Sequence, residues 1–223
     1  MNRQFCNTVG SYKRIFCIGR NYAQHARELD SPIPESPVVF LKPLSCLVPL
    51  GEMIVFPSHG TLLHHETELV FLIGKGGRVS SVKTASSFIL GITLGLDLTL
   101  RDLQSQLKKK GEPWEIAKGF DGSAPIGAWV PYDPKWYEKG IEFFCRVNGA
   151  VRQTGYSKDM IFPIAEILIY LSTIWHLQKG DLIYTGTPEG VGPISPGDEI
   201  VIESPSIGTF SWRVAPSERV GLL

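Results

Sequence analysis

Apolar positions in this 223-residue chain fall mainly in short runs rich in β-branched and aromatic residues, separated by Gly, Pro and polar residues. Such runs at 38–41, 53–56, 66–73, 89–96, 142–147, 182–185, 199–203 and 209–214 have the length and composition of strands. Asn148-Gly149 stands between FFCRV and AVRQT, where two residues able to take positive φ close a tight hairpin. Helical spacing occurs at 21–29, 99–110 and 163–174; Gly111 stops the second, and Pro163 takes the first position of the third. The stretch GTPEGVGPISPG at 186–197 is too rich in Gly and Pro for a regular element and reads as a long functional loop. The pattern predicts a single α+β domain, predominantly β, made of many short elements.

Composition narrows the partners. With 43% hydrophobic and 10% aromatic residues the chain can bury a substantial core. Lys plus Arg and Asp plus Glu both total 22, so no general field draws nucleic acid or an acidic membrane surface, and a small-molecule partner is expected. The first residues lack a charged segment followed by a sustained apolar stretch, and no run approaches the roughly 20 apolar residues of a membrane span. A cytoplasmic location is the expectation. Cys6, Cys17, Cys46 and Cys145 are scattered without CxxC spacing, which argues against a disulfide framework, a thiolate zinc site and a redox dithiol.

The densest chemistry lies in HHETELVFLIG. Along a strand Glu66 and Glu68 share one face, while Thr67 and Leu69 take the other. Two half-buried carboxylates repel, and either one takes up a proton or a cation neutralises both. Oxygen-only ligation favours Mg²⁺, Mn²⁺ or Ca²⁺ over zinc; on its own the pattern also fits a solvated strand face. In GLDLTLRDLQSQLKKKG a strand ends at Asp97 and gives way to a helix, a position suited to a functional carboxylate or to helix capping. Arg101 and Gln104 share a helical face, whereas Asp102 points elsewhere. Lys118, in EPWEIAKGFDGSAPIG, precedes a Gly-rich bend that lets backbone approach a ligand.

HHETEL, GLDLTLRDLQ and PWEIAKGFDGSAPIG, together with CIGRNYAQHARE and YTGTPEGVGP, are similar in order and spacing to the motifs of the fumarylacetoacetate hydrolase family. The resemblance spans nearly the whole chain. It implies a mixed β-roll fold, a homodimer, and a Mg²⁺ site, with Mn²⁺ or Ca²⁺ possible in its place, held by Glu66, Glu68 and Asp97. It also implies that Arg101, Gln104 and Lys118 surround the bound substrate and that Thr187 contacts a substrate carboxylate. The length resembles the compact acylpyruvate hydrolase and oxaloacetate decarboxylase-like branch. One catalytic domain over 1–223 is expected, with residues 1–15 as an extension and about 20–34 as a lid.

His25 and Glu28 are three apart, so a helix sets them on one face as a base and its orienter, as in the compact acylpyruvases of that family. Arg20 has the guanidinium geometry for two-point contact with a carboxylate. His64 and His65 read as neighbours of the carboxylates rather than ligands, and His59 and His176 have no motif context. The expected activity is metal-dependent hydrolysis of acylpyruvates to pyruvate and a carboxylic acid, with oxaloacetate decarboxylation possible at the same site. Isomerisation, tautomerisation or decarboxylation of 2-oxo or 2-hydroxy-dienedioic acids is the alternative within the family. A metal-stabilised binding module without catalysis is the alternative from another class.

Overall fold

The computed structural model describes residues 12–28 and 32–217. Most of the expected N-terminal extension, at residues 1–11, and the middle of the expected lid, at 29–31, lie outside the described residues. In chain order the strands are β1 (Ile15–Gly19), β2 (Val38–Lys42), β3 (Leu47–Val48), β4 (Ile54–Val55), β5 (Leu63–His65) and β6 (Thr67–Ile73). They continue with β7 (Ile89–Leu96), β8 (Thr99–Leu100), β9 (Ala124–Pro125), β10 (Val130–Pro131) and β11 (Glu142–Val147). The last five are β12 (Ala150–Tyr156), β13 (Leu182–Tyr184), β14 (Gly192–Pro193), β15 (Glu199–Ser204) and β16 (Gly208–Ala215). Six short helices join them, at Ala23–Glu28, Val82–Ala85, Arg101–Lys110, Glu115–Lys118, Pro134–Lys139 and Ile164–Ile174.

A six-stranded mixed sheet in the order β10-β7-β6-β13-β1-β2 carries the core. All seven residues of β6 are buried because both of its faces are covered, so its sequence is nearly continuous apolar rather than alternating. The second sheet, in the order β12-β11-β15-β16-β4, shows the alternation of a one-sided sheet: β15 buries Ile200, Ile202 and Ser204 between more exposed residues. Asn148 (φ 51°) and Gly149 (φ 79°) close the β11–β12 hairpin as expected, since a two-residue turn with positive φ at both positions matches the strand twist. Helix Ile164–Ile174 buries Ile164, Ile167, Leu168 and Leu171, the i, i+3, i+4, i+7 stripe of a helix packed on one side.

The structure departs from the sequence pattern at several places. Strand β1, IFCIG, was not among the expected strands, yet it lies between β13 and β2 with Ile15 to Ile18 buried and pairs in parallel with β13. The strand expected at 66–73 begins one residue later, at Thr67, because the chain breaks at Glu66 to pass from the small sheet β14-β5-β8 into the large one. Residues 99–100 form strand β8 against β5, so the following helix begins at Arg101. Pro163 is the residue before the helix (φ −59°, ψ 157°) rather than its first residue. The loop 186–197 contains one regular piece, β14, paired with His64 and His65.

Arg14 and Asp181 close the β1–β13 edge. Asp181 is fully buried, and its carboxylate accepts Arg14 Nε at 3.0 Å, Arg14 Nη2 at 2.6 Å and the Gln178 amide at 2.7 Å. A bidentate pair with an added backbone donor satisfies a buried carboxylate; removing it strands donors instead. Asp181→Ala is expected to lower unfolding free energy by about 3 kcal/mol in urea denaturation, whereas an effect under about 0.5 kcal/mol would show the pair to be dispensable.

Candidate active site

The end of the β6–β7 ladder brings the three carboxylates together. Glu68 stands opposite Gly95 and Thr67 opposite Leu96, and the Asp97 amide donates to the Glu66 carbonyl at 2.8 Å. Glu66 and Glu68 share a face, Asp97 meets them from the neighbouring strand, and Gly95 adds no side chain between. One oxygen from each residue lies within 4.8 Å of the others, and all three residues are buried.

Cations cluster on one side of this group. Lys118 Nζ lies 2.7 Å from Glu66 Oε2 and 2.6 Å from Asp97 Oδ2, while Arg101 Nη2 donates to Glu66 Oε1. Burial pushes the Glu66 carboxyl up, but Lys118 and then Arg101 outweigh it and hold Glu66 well below the usual carboxylate range. Burial pulls the Lys118 ammonium down, and Asp97 and Glu66 more than restore it. Glu68 differs: among the described residues no cation pairs with it, and its Oε2 accepts the Gly186 amide at 2.8 Å. Burial, then the Asp97 and Glu66 charges, push the Glu68 carboxyl well above its usual range. Lys42 Nζ approaches Asp97 Oδ1 to 2.9 Å, while its hydrogen bonds are shared among the carbonyls of Leu98, Lys118 and Ser123 and Ser123 Oγ. Asp97 Oδ1 is therefore a buried oxygen with a nearby charge and no aligned donor. A set of hard oxygen donors, with one carboxylate lacking a cation partner and one oxygen without a hydrogen bond, fits a divalent cation of the Mg²⁺, Mn²⁺ or Ca²⁺ kind.

The expected pocket residues are gathered around this cluster. Arg101 and Gln104 are buried on one face of their helix, with Arg101 Nη1 donating to Gln104 Oε1, and Asp102 turns away to cap the Thr61 amide at 2.9 Å. Helix Ala23–Glu28 buries His25, whose Nδ1 lies 3.1 Å from Glu28 Oε2. The other Glu28 oxygen accepts the Gly190 amide at 3.1 Å, which ties this helix to the Gly-rich loop. Gly190 has φ 88°, and a Cβ there would sit 2.2 Å from the Arg152 carbonyl, so the latch admits only glycine. Arg20 takes φ 58°, a conformation a long side chain adopts at a cost; its Nε is buried without a hydrogen-bond partner among the described residues. Its guanidinium faces Trp114 with 5.9 Å to the ring centre.

Thr187, expected as a substrate contact, is engaged within the protein, and His64 and His65 are neighbours of the carboxylates as expected. The Thr187 hydroxyl donates to the Thr67 carbonyl at 2.9 Å and accepts Gln153 Nε2 at 2.8 Å, so its proton is committed within the protein. His65 donates Nδ1–H to Gln153 Oε1 at 3.0 Å, and His64 lies 3.5 Å from Arg101 Nε. Burial and then Arg101 lower the His64 imidazole to about 4, so it is neutral at neutral pH. Lys42 and Gln153 escaped sequence reading. Lys42 left a faint signal, a charge closing the apolar strand VVFLK; Gln153 left none, since its strand neighbours Val151, Arg152 and Thr154 are exposed.

Known proteins share this arrangement over most of the chain. The family model for the fumarylacetoacetate (FAA) hydrolase C-terminal domain matches residues 14–215. The chain is 45% identical over 206 residues to a mitochondrial oxaloacetate tautomerase, FAHD1, of Bos taurus, covering 92% of this chain and 93% of that protein. It is 44% identical over 189 residues to a mitochondrial oxaloacetate decarboxylase of Dictyostelium discoideum, covering 84% and 87%. The fold superposes with a TM-score of 0.87 on the crystal structure of fumarylpyruvate hydrolase from Pseudomonas aeruginosa in complex with Mn²⁺ and pyruvate, at 39% identity and covering 92% and 91% of the two chains. With a mixed-sheet fold, a buried acidic triad and similarity across nearly its whole length, this chain belongs to the fumarylacetoacetate hydrolase family, in the branch of the acylpyruvate hydrolases and oxaloacetate decarboxylases.

Proposed function

We propose that the chain is a divalent-metal-dependent enzyme acting at C3 of a small 2-oxo acid, with hydrolysis of acylpyruvates to pyruvate and a carboxylic acid as its reaction. The observation that carries this reading is the buried group Glu66, Glu68 and Asp97, in which Glu68 pairs with no cation among the described residues, in a fold whose lid helix buries His25 beside the more exposed Glu28. The three carboxylates would hold the ion, Mg²⁺ by preference, with Mn²⁺, present in the Pseudomonas aeruginosa relative, able to replace it. Such an ion supplies Lewis acidity toward a 2-oxo oxygen and its neighbouring carboxylate.

The chain's own residues would do the rest. Lys118 holds positive charge beside the place where negative charge develops on the substrate. Arg101 and Gln104 would face the carboxylate end, and Arg20 would offer its free Nε to an anion. Glu28 accepts Nδ1–H of His25, which leaves Nε2 as the basic nitrogen. His25 would take a proton from water as its oxygen attacks the C4 carbonyl; the C3–C4 bond then breaks, its electron pair stays on the C2–C3 fragment, and protonation at C3 yields pyruvate.

The same base also serves keto–enol exchange or decarboxylation of oxaloacetate, a second reading favoured by the names of the two curated relatives. In tautomerisation His25 would move a proton between C3 and the 2-oxo oxygen with no bond to C4 broken. Both curated relatives are named as mitochondrial, so the cytoplasmic location expected from the sequence has no support from them. No helix among the described residues is long and apolar enough to cross a membrane. A single catalytic domain and a homodimer are part of the proposal.

Two outcomes follow for this reading. His25→Ala and Glu28→Gln are expected to lower kcat about 10² to 10⁴-fold in a product assay by proton NMR with acetylpyruvate and oxaloacetate, with melting temperature unchanged. Unaltered turnover in both variants would remove the pair from the mechanism. The second concerns pH. In the metal-free protein the raised Glu68 pKa contributes stability that is full below the ordinary carboxylate range and is lost as pH rises through the raised value. A bound cation displaces that proton, so the melting-temperature gain from Mg²⁺ over EDTA is expected to widen as pH rises from the ordinary carboxylate range toward neutrality. A gain that is flat or shrinks over that range would contradict a metal held by Glu68.

A further inference from the structure

Gln153 is buried in the middle of a strand whose neighbouring residues are exposed, and it uses all of its hydrogen-bonding capacity. Its Oε1 accepts His65 Nδ1–H and the Thr67 amide, each at 3.0 Å. Its Nε2 donates to Thr187 Oγ1 at 2.8 Å and to the Pro188 carbonyl at 2.9 Å. The Thr67 amide needs an acceptor and the Pro188 carbonyl needs a donor, so the amide can be oriented only one way. His65 and Thr67 flank Glu66 at the break between β5 and β6. Thr187 and Pro188 lie in the loop whose Gly186 amide bonds Glu68 and whose Gly190 amide bonds Glu28.

A bulge aims this side chain. Cys145 pairs with Gln153 and Arg146 with Val151, which leaves Arg152 as the extra residue in β12. An added residue turns the following side chain toward the other face and sharpens the local bend. The carbonyl of that same extra residue is the atom that packs against Gly190. One irregularity in the second sheet therefore touches the loop at Pro188 through a side chain and at Gly190 through backbone.

We propose that Gln153 is a positioning residue that holds the carboxylate-bearing strand in register with the loop that orients the His25–Glu28 pair. It touches neither substrate nor reacting atoms. Its Oε1 side fixes the backbone on both sides of Glu66; its Nε2 side fixes the loop that reaches Glu28. The role rests on reading the carboxylates as ligands and His25 as the base, since only then does the distance between those two groups govern rate.

Gln153→Glu separates the two sides, because a carboxylate still accepts from His65 and Thr67 but has no proton for Thr187 or Pro188. Gln153→Leu removes both. In hydrogen exchange read by mass spectrometry, amides at 186–190 are expected to exchange about tenfold faster in Gln153→Glu while those at 67–73 keep the parent rate; in Gln153→Leu both segments speed up. Mn²⁺ affinity by calorimetry is expected within about threefold of the parent for the Glu variant and at least about tenfold weaker for the Leu variant, with kcat down about tenfold or more in both. If the Glu variant does not fold, Thr187→Ala breaks the bond from the loop side, and the same faster exchange at 186–190 is expected. Parent-like exchange in the loop, or equal loss of Mn²⁺ affinity in the two Gln153 variants, would overturn the positioning role. Exchange decides it independently of turnover, so absence of Mn²⁺ binding in the parent would count against the metal site and not against Gln153's hold on the loop.

Discussion

Three carboxylates buried against one another is the constraint on which the rest of this structure depends. Like charges out of water repel strongly, and the fold permits them only because Lys118, Arg101 and Lys42 converge from three different segments. The compensation is uneven. Glu66 is matched by two cations, whereas Glu68 receives only a backbone amide, and that asymmetry separates a site ready for a divalent ion from a closed structural ion-pair cluster. A cluster built only for stability would be better served by apolar residues of similar volume.

The fold's topology is arranged around that group. The break at Glu66 lets the chain leave a three-stranded sheet and enter a six-stranded one, so Glu66 and Asp97 sit at a seam and Glu68 stands at the adjoining end of the β6–β7 ladder. The Asp97 amide bonds the Glu66 carbonyl across the seam and fixes the spacing of the two side chains. The Gly-rich loop then crosses above, its amides serving Glu68 on one side and Glu28 on the other. Glycine is needed there because backbone approaches backbone at Gly190.

Much of this was legible in the sequence, and for identifiable reasons. Alternation in HETEL predicts Glu66 and Glu68 on one face, and the two carboxylates do converge although Glu66 stands at the break before β6. The helix spacing of Arg101 with Gln104 and of His25 with Glu28 is local geometry and carried through. Asn148-Gly149 has few conformations open to it, and the hairpin follows. Long-range partners were not legible. Lys42 lies 55 residues before Asp97 and Gln153 lies 86 residues after Thr67; nothing local marks either one, and their roles arise from sheet order and from the bulge at Arg152. Strand β1 was hidden because five apolar residues without alternation resemble any buried segment. Pro163 was misplaced by one residue because proline suits both the position before a helix and its first turn.

The central claim is that Glu66, Glu68 and Asp97, with Glu68 left without a cation partner, form a divalent-cation site. The most direct test is anomalous diffraction at the manganese edge from crystals grown with Mn²⁺. The account predicts one strong peak within about 2.2 Å of an oxygen from each of the three residues, with Lys118 still in contact with the cluster. A peak elsewhere, or none with the three carboxylates ordered as they are in the metal-free protein, would contradict it.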